Sequence, residues 1–155
     1  GEGIGESKSL TTLNLSGNGL GRSADTLGVK ALGEGVGASK SLTTLDLSYN
    51  ELGESTEGCK AIGEGIGASS SLTSFNLSNN ELGRNTEGCK EIGAGIGKSS
   101  SLTSFNFSDN GISDSQKKAF EDAGFELDSD GKTWRKQPSF WSDPFGSIVD
   151  WFNTD

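Results

Sequence analysis

Apolar residues recur at fixed offsets along most of the chain. Four similar segments begin at Leu10, Leu42, Leu72 and Leu102, at steps of 32, 30 and 30 residues. Within each segment apolar and polar residues alternate, which predicts a short strand with one buried side. An asparagine follows each predicted strand, where the chain must turn, at Asn18, Asn50, Asn80 and Asn110. The pattern therefore predicts four stacked strands, each followed by a turn.

The stretch between successive strands has the period of a helix. Cys59, Ile62 and Ile66 lie at i, i+3 and i+7, which places them on one helical face. The equivalent sets in the neighbouring copies are Val29, Leu32 and Val36, and Cys89, Ile92 and Ile96. Because one strand–helix unit cannot bury its apolar face alone, stacking of the units must supply the core.

The four segments share the pattern L-x-x-L-x-L-x-x-N-x-L, and on it the chain resembles the leucine-rich repeat family. The period of about thirty residues, with a helical second half, is similar to the ribonuclease-inhibitor subtype. The resemblance implies an α/β solenoid, with a short curved parallel sheet on the concave side and helices on the convex side. It also implies that the asparagines bond neighbouring backbone as a ladder, and that the concave face is where such proteins recognise ligands.

The predicted concave face is made of small polar side chains. Its candidate binding residues are Thr12, Asn14, Thr44, Asp46, Tyr49, Ser74, Asn76, Ser104 and Asn106. Binding hot spots favour Trp, Tyr and Arg, and this face offers only Tyr49, at its rim. We therefore predict that it is a poor surface for tight binding.

The glycine-rich stretch GEGIG stands at 1–5 and 63–67, with near copies at 33–37 and 93–97. A phosphate-binding loop would follow a strand and open a helix, whereas this stretch closes one. Each helical glycine costs about 1 kcal/mol relative to alanine, which close helix packing can offset. We expect thin, partly 3₁₀ helices that approach one another closely.

Composition and charge exclude several classes of function. The net charge of −9 argues against nucleic-acid binding and against docking on an anionic membrane. No run of 18 apolar residues is present, and the chain has no histidine, which removes Ser–His and Cys–His nucleophile pairs. No acid pair converges on an evident cleft. We predict a protein that is not an enzyme, with no cofactor, no metal and no small-molecule substrate.

The two cysteines, Cys59 and Cys89, lie one repeat apart. Equivalent positions on stacked helices are roughly 10 Å apart, beyond the 7 Å or so that a disulfide bridges. They are predicted to be free, buried thiols, which favours an intracellular or organellar reducing compartment.

The pattern divides the chain into four parts: residues 1–9 end a truncated repeat, 10–112 are the repeats, 113–133 are a C-terminal cap, and 134–155 are an aromatic tail. The first part predicts further repeats upstream or a partner over that end. In the cap, a helix from Ser113 precedes a final strand at 125–127, which would add Phe125 and Leu127 to the stack. A turn at Asp128–Gly131 would close it as a hairpin.

The tail concentrates the large apolar side chains. Its candidate partner-binding residues are Trp134, Phe140, Trp141, Phe145, Ile148, Val149, Trp151 and Phe152. Phe145, Ile148, Val149 and Phe152 follow at i, i+3, i+4 and i+7, which predicts a short amphipathic helix. Such a helix either folds back on the solenoid or docks in a groove of another protein. Direct membrane insertion is disfavoured, since the tail also carries three aspartates.

These features favour a non-catalytic interaction or scaffold subunit, held in a multi-subunit protein complex by its aromatic tail. The alternative is a ligand-sensing or receptor-type repeat fragment that recognises a protein through the concave face.

Overall fold

A computed structural model describes residues 1–22 and 26–138. Helices and strands alternate through the repeats and end in a hairpin. In chain order they are α1 (Glu2–Glu6), β1 (Thr12–Asn14), α2 (Leu27–Ala38), β2 (Thr44–Asp46), α3 (Thr56–Ala68), β3 (Ser74–Asn76), α4 (Thr86–Lys98), β4 (Ser104–Asn106), α5 (Asp114–Asp122), β5 (Phe125–Leu127) and β6 (Thr133–Lys136). This is the predicted α/β leucine-rich-repeat solenoid.

The strands form one sheet in the order β1-β2-β3-β4-β6-β5. The first four strands are parallel and in register, so that Leu45 lies beside Phe75 and Phe75 beside Phe105. These three side chains are almost fully buried against the helices, with the polar residues of each strand on the other face. The alternation in the sequence therefore sets both the register and the buried side.

The asparagine ladder has the predicted form. The Asn80 Oδ1 accepts the backbone N–H groups of Asn50 and Leu52, at 3.0 and 3.2 Å. Its Nδ2 donates to the Leu47, Leu77 and Ser78 carbonyls, at 2.9, 3.0 and 3.2 Å. Each buried asparagine therefore supplies partners to backbone groups of its own turn and of the preceding repeat.

The glycines allow neighbouring helices to touch backbone to backbone. A Cβ on Gly63 would overlap the Glu91 carbonyl of α4, and a Cβ on Gly95 would overlap the Gly63 carbonyl of α3. The prediction of close helix approach is confirmed. The prediction of partly 3₁₀ helices in these stretches is wrong, because α3 and α4 are α-helical throughout. The 3₁₀ turns precede them, at Leu52–Glu54 and Leu82–Arg84.

The C-terminal cap closes the core with an aromatic cluster centred on Phe105. Ring centroids of Phe120 and Phe125 lie 5.0 and 5.1 Å from it, and the Trp134 ring stacks on it at 6.0 Å. The helix α5 begins with a capping box at Ser113 and ends before Gly124, which has a φ of +83°. A helix from Ser113 was predicted from the sequence.

Two predictions about the cap are wrong. Trp134 was assigned to the partner-binding tail, but it is 4% exposed and lies in β6, between β4 and β5. Leu127 was expected to join the core, but it is 45% exposed. The reason is that β6, and not β5, pairs with β4, so that the second strand of the hairpin supplies the ring that covers Phe105.

Candidate protein-binding surface

The polar residues of β1–β4 form two rows on the face of the sheet opposite the helices, here called the outer sheet face. One row is Thr12, Thr44, Ser74 and Ser104, and the other is Asn14, Asp46, Asn76 and Asn106. These are the residues predicted to line the concave face. They range from exposed at β1 to half-buried at β2–β4.

The hairpin extends both rows by one residue that the sequence reasoning missed. Arg135 pairs with Ser104 at the end of the first row, and Thr133 pairs with Asn106 at the end of the second. The signal for them was the predicted D-G turn, which implies a returning strand but not the neighbour with which it pairs. Arg135 also forms an ion pair with Asp128 at 2.6 Å.

The side chains of the second row already form hydrogen bonds within the turns that follow the strands. The Oδ1 atoms of Asn14, Asn76 and Asn106 each accept the backbone N–H two residues on, at 2.9 to 3.0 Å. Asp46 accepts both the N–H and the hydroxyl of Ser48. The outer sheet face is consequently a shallow, fixed polar surface, in which several polar groups already have intramolecular partners.

Tyr49 stands at the rim of this face and is its one aromatic side chain. It is 62% exposed and has a φ of +56°, in the left-handed region that bulky residues rarely adopt. The equivalent positions in the other repeats hold Gly17, Asn79 and Asp109, which tolerate that region better. The adjacent Asn50 of the ladder and the Tyr49 N–H bond to the Ser78 carbonyl fix the backbone there. Strain of this kind commonly accompanies a functional position.

Replacing Tyr49 with asparagine, the residue of the next repeat, should raise the free energy of unfolding by up to about 1 kcal/mol, because asparagine tolerates the left-handed conformation. Urea denaturation measures the change, and Tyr49→Phe, which keeps the strain, should leave stability unchanged. A loss of stability in Tyr49→Asn would show instead that the ring stabilises the fold by packing.

The cysteines are free and buried, as predicted. The Cys59 thiol donates to the Leu52 carbonyl at 3.1 Å. Burial raises the pKa of Cys59 to about 12, helped by the neighbouring Cys89, and burial raises the pKa of Cys89 to about 11. Since the thiolate is the nucleophile, neither side chain suits covalent catalysis near neutral pH.

Several carboxylates of the described residues serve turns or surface ion pairs. Asp130 closes the β5–β6 turn, and hydrogen bonds from Thr133 and from the Lys132 N–H lower its pKa to about 2. Residues 1–22 and 26–138 contain no group of three or more His, Cys, Asp or Glu side chains arranged to hold a metal ion. In the same residues, no helix has the length and apolar character needed to cross a membrane.

The remaining candidate tail residues lie outside the described part of the chain. They are Phe140, Trp141, Phe145, Ile148, Val149, Trp151 and Phe152.

A family profile described as leucine-rich repeat matches residues 6–23, 38–63, 68–93 and 98–115, together more than half of the chain. The chain belongs to the leucine-rich repeat family. The matched segments start near each predicted strand and coincide with the four repeats. Domains of this family generally mediate protein–protein interaction and are typically non-catalytic. The ribonuclease-inhibitor-like subtype stays a prediction.

A comparison with curated proteins found no match. Among solved structures, the chain is similar to the C-terminal domain of tropomodulin from Caenorhabditis elegans. That similarity covers 79% of this chain and 87% of the other, at 15% sequence identity and a TM-score of 0.47.

Proposed function

We propose that this protein is a non-catalytic subunit of a larger protein assembly, held there by its aromatic tail. The observation that carries this proposal is the distribution of aromatic residues. Six of the seven aromatic side chains in the described part are buried in the core: Phe75, Phe105, Phe107, Phe120, Phe125 and Trp134. Tyr49 is the exception. The other five of the twelve aromatic residues stand in 139–155.

Aromatic side chains are the commonest anchors of protein interfaces. The described fold has already buried nearly all of its own, in a core that the cap hairpin closes. Aromatic anchors for a partner are therefore found in two places, at Tyr49 and in residues 139–155. The segment 139–155 has five of them, and its apolar residues recur at helical spacing.

Tail deletion tests the proposal, provided that the deleted form keeps the whole cap. The chain should end at Pro138, because Trp134 belongs to the core and the Gln137 N–H donates to the Gly124 carbonyl at 2.9 Å. We expect the full chain to capture a defined set of proteins from its source, and the shortened chain to lose them. A complex rebuilt from purified components should show the same dependence.

A pair of single substitutions sharpens this test. Ile148→Asp places a charge on the predicted apolar face of the tail, whereas Ser147→Asp places the same charge on the adjacent polar position. Ile148→Asp should weaken the complex by at least about 2 kcal/mol, the cost of losing an interface anchor, and Ser147→Asp should not. Equal effects of the two would reject recognition through this face.

The second candidate function is recognition of a protein through the outer sheet face, and the strained, exposed Tyr49 favours it. In that case Tyr49→Asn should weaken binding while the stability rises, and deletion of 139–155 should leave binding intact. The two candidates therefore give opposite results with the same two variants.

A further inference from the structure

The last helix of the described fold stands away from the helix row. Between α3 and α4, an added Cβ on Gly63 meets the backbone of Glu91 at less than 3.0 Å. On the next face of α4, a Cβ on Gly93 would have its nearest neighbour 3.8 Å away, at the Phe120 ring, and one on Gly97 would lie 3.8 Å from the Ala123 Cβ. The close backbone approach that glycines permit between α3 and α4 is therefore absent between α4 and α5, and a gap remains between those two helices.

The result is an apolar groove of about 400 Å³, here called the α4–α5 groove. Its apolar lining comes from Cys89, Gly93, Ala94, Ala119 and Phe120. Ala94 and Ala119 are exposed to solvent, and Phe120 is buried at the floor.

The sequence of α4 departs from the repeat at this groove. The position of Ala94 is held by Glu34 in α2 and by Glu64 in α3, where it lines the groove between those two helices. Among the described residues lining the α4–α5 groove there is no carboxylate, and Lys90 stands at its rim. The α4–α5 groove is thus apolar with a lysine at its edge, which pairs with Glu87 at 3.7 Å, whereas the groove between α2 and α3 carries three glutamates and two lysines.

The chain leaves the described fold next to the C-terminal end of α5, the helix that forms one wall of this groove. After β6, the Gln137 N–H bonds the Gly124 carbonyl, directly after the end of α5. The α5 helix has 9 residues and a length of about 13 Å. The six residues 138–143 can span about 20 Å, so that residues 144–152 can reach any point along α5.

The segment 144–152 has apolar residues and an aspartate that complement the apolar lining and the lysine of the groove. Phe145, Ile148, Val149 and Phe152 recur at helical spacing, and 139–155 contains three aspartates and no lysine or arginine. An acidic segment with an apolar face complements an apolar groove with a lysine at its rim. Because the linker is short, its effective concentration at this groove exceeds that of the same segment on another molecule.

We infer that the α4–α5 groove is the docking site of residues 144–152 of the same chain. This rests on the proposed function, and it adds a regulation to it, since an assembly partner must compete with the groove for the tail. Because only the undocked tail can bind the partner, preventing the docking raises the apparent affinity for the partner by a factor equal to the reciprocal of the undocked fraction.

Hydrogen–deuterium exchange of the full chain, read by mass spectrometry, tests the docking without any partner. Amides of 145–152 should exchange at least about tenfold more slowly than in an unstructured peptide. Ala94→Glu should abolish this protection. Because glutamate occupies the same position in α2 and α3, this substitution is compatible with the fold. The matched control is Glu64→Ala, which alters the groove between α2 and α3 and should leave the protection unchanged.

Three outcomes would overturn the inference. The amides of 145–152 exchange as fast as in the peptide; or their protection survives both Ala94→Glu and Ala119→Glu; or the protection rises with protein concentration, which indicates a second copy. None of these depends on whether a partner is captured. Failure of the docking is therefore distinguishable from failure of the proposed assembly, which the capture experiment reports.

Discussion

Replacing Asn80 with alanine is expected to lower the free energy of unfolding by about 4 kcal/mol. The side chain is fully buried and takes part in five hydrogen bonds, two as acceptor and three as donor. All five partners are backbone groups of two adjacent repeats. Alanine leaves the Asn50 and Leu52 N–H groups buried without a partner, and each unsatisfied buried group costs about 1–3 kcal/mol. The three carbonyls keep a second donor each, from the Asn50 Nδ2, the Asn110 Nδ2 and the Tyr49 N–H.

The ladder supplies its own control, because Asn18 is the same residue at an exposed position. Its Nδ2 donates to the Leu15 and Ser16 carbonyls, which water can reach once the side chain is removed. Asn18→Ala should therefore cost about 1 kcal/mol or less. Urea denaturation of both variants measures the difference. Equal losses would mean that the ladder contributes through local turn geometry, and not through bonds buried between repeats.

The repeat architecture was predictable because its signal is local and occurs four times. The spacing of Leu42, Leu45 and Leu47 specifies a strand with one buried side, and the asparagine at 50 specifies the turn after it. Stacking then follows from the need of each repeat to bury its apolar face. The small polar residues of the outer sheet face follow from the same alternation.

The cap was only half predictable, because its strand order depends on contacts between distant residues. The segment 125–127 and the D-G turn indicated a hairpin, but either of its strands could have paired with β4. The structure selects β6, which brings Trp134 over Phe105 and leaves Leu127 exposed. A tryptophan next to an aromatic-rich tail gives no local sign that it belongs to the core.

The candidate binding features were predictable as residues but not as geometry. Tyr49 was selected as the one large side chain near the outer sheet face. Its left-handed backbone conformation becomes apparent only once Gly17, Asn79 and Asp109 are seen to share that conformation. The α4–α5 groove depends on how far α5 stands from α4, and no sequence periodicity reports that distance.

The strongest test of the helix packing is a pair of glycine substitutions in α4 with effects of opposite sign. In Gly95→Ala the new methyl group would overlap the backbone of Gly63 in α3, where no side chain can move away. The helices must separate, and we expect a loss of about 3 kcal/mol in the free energy of unfolding.

In Gly93→Ala the methyl group would lie 3.8 Å from the Phe120 ring, an ordinary contact distance. Alanine has the higher helix propensity, so that this variant should be more stable by about 0.5–1 kcal/mol. Thermal and urea denaturation of the two variants measure the direction and size of each change in the free energy of unfolding. Circular dichroism checks that each variant keeps its helices. If both substitutions stabilise the protein, the helices are farther apart than the backbone contact implies. The glycines would then have no packing role to offset their cost in helix propensity.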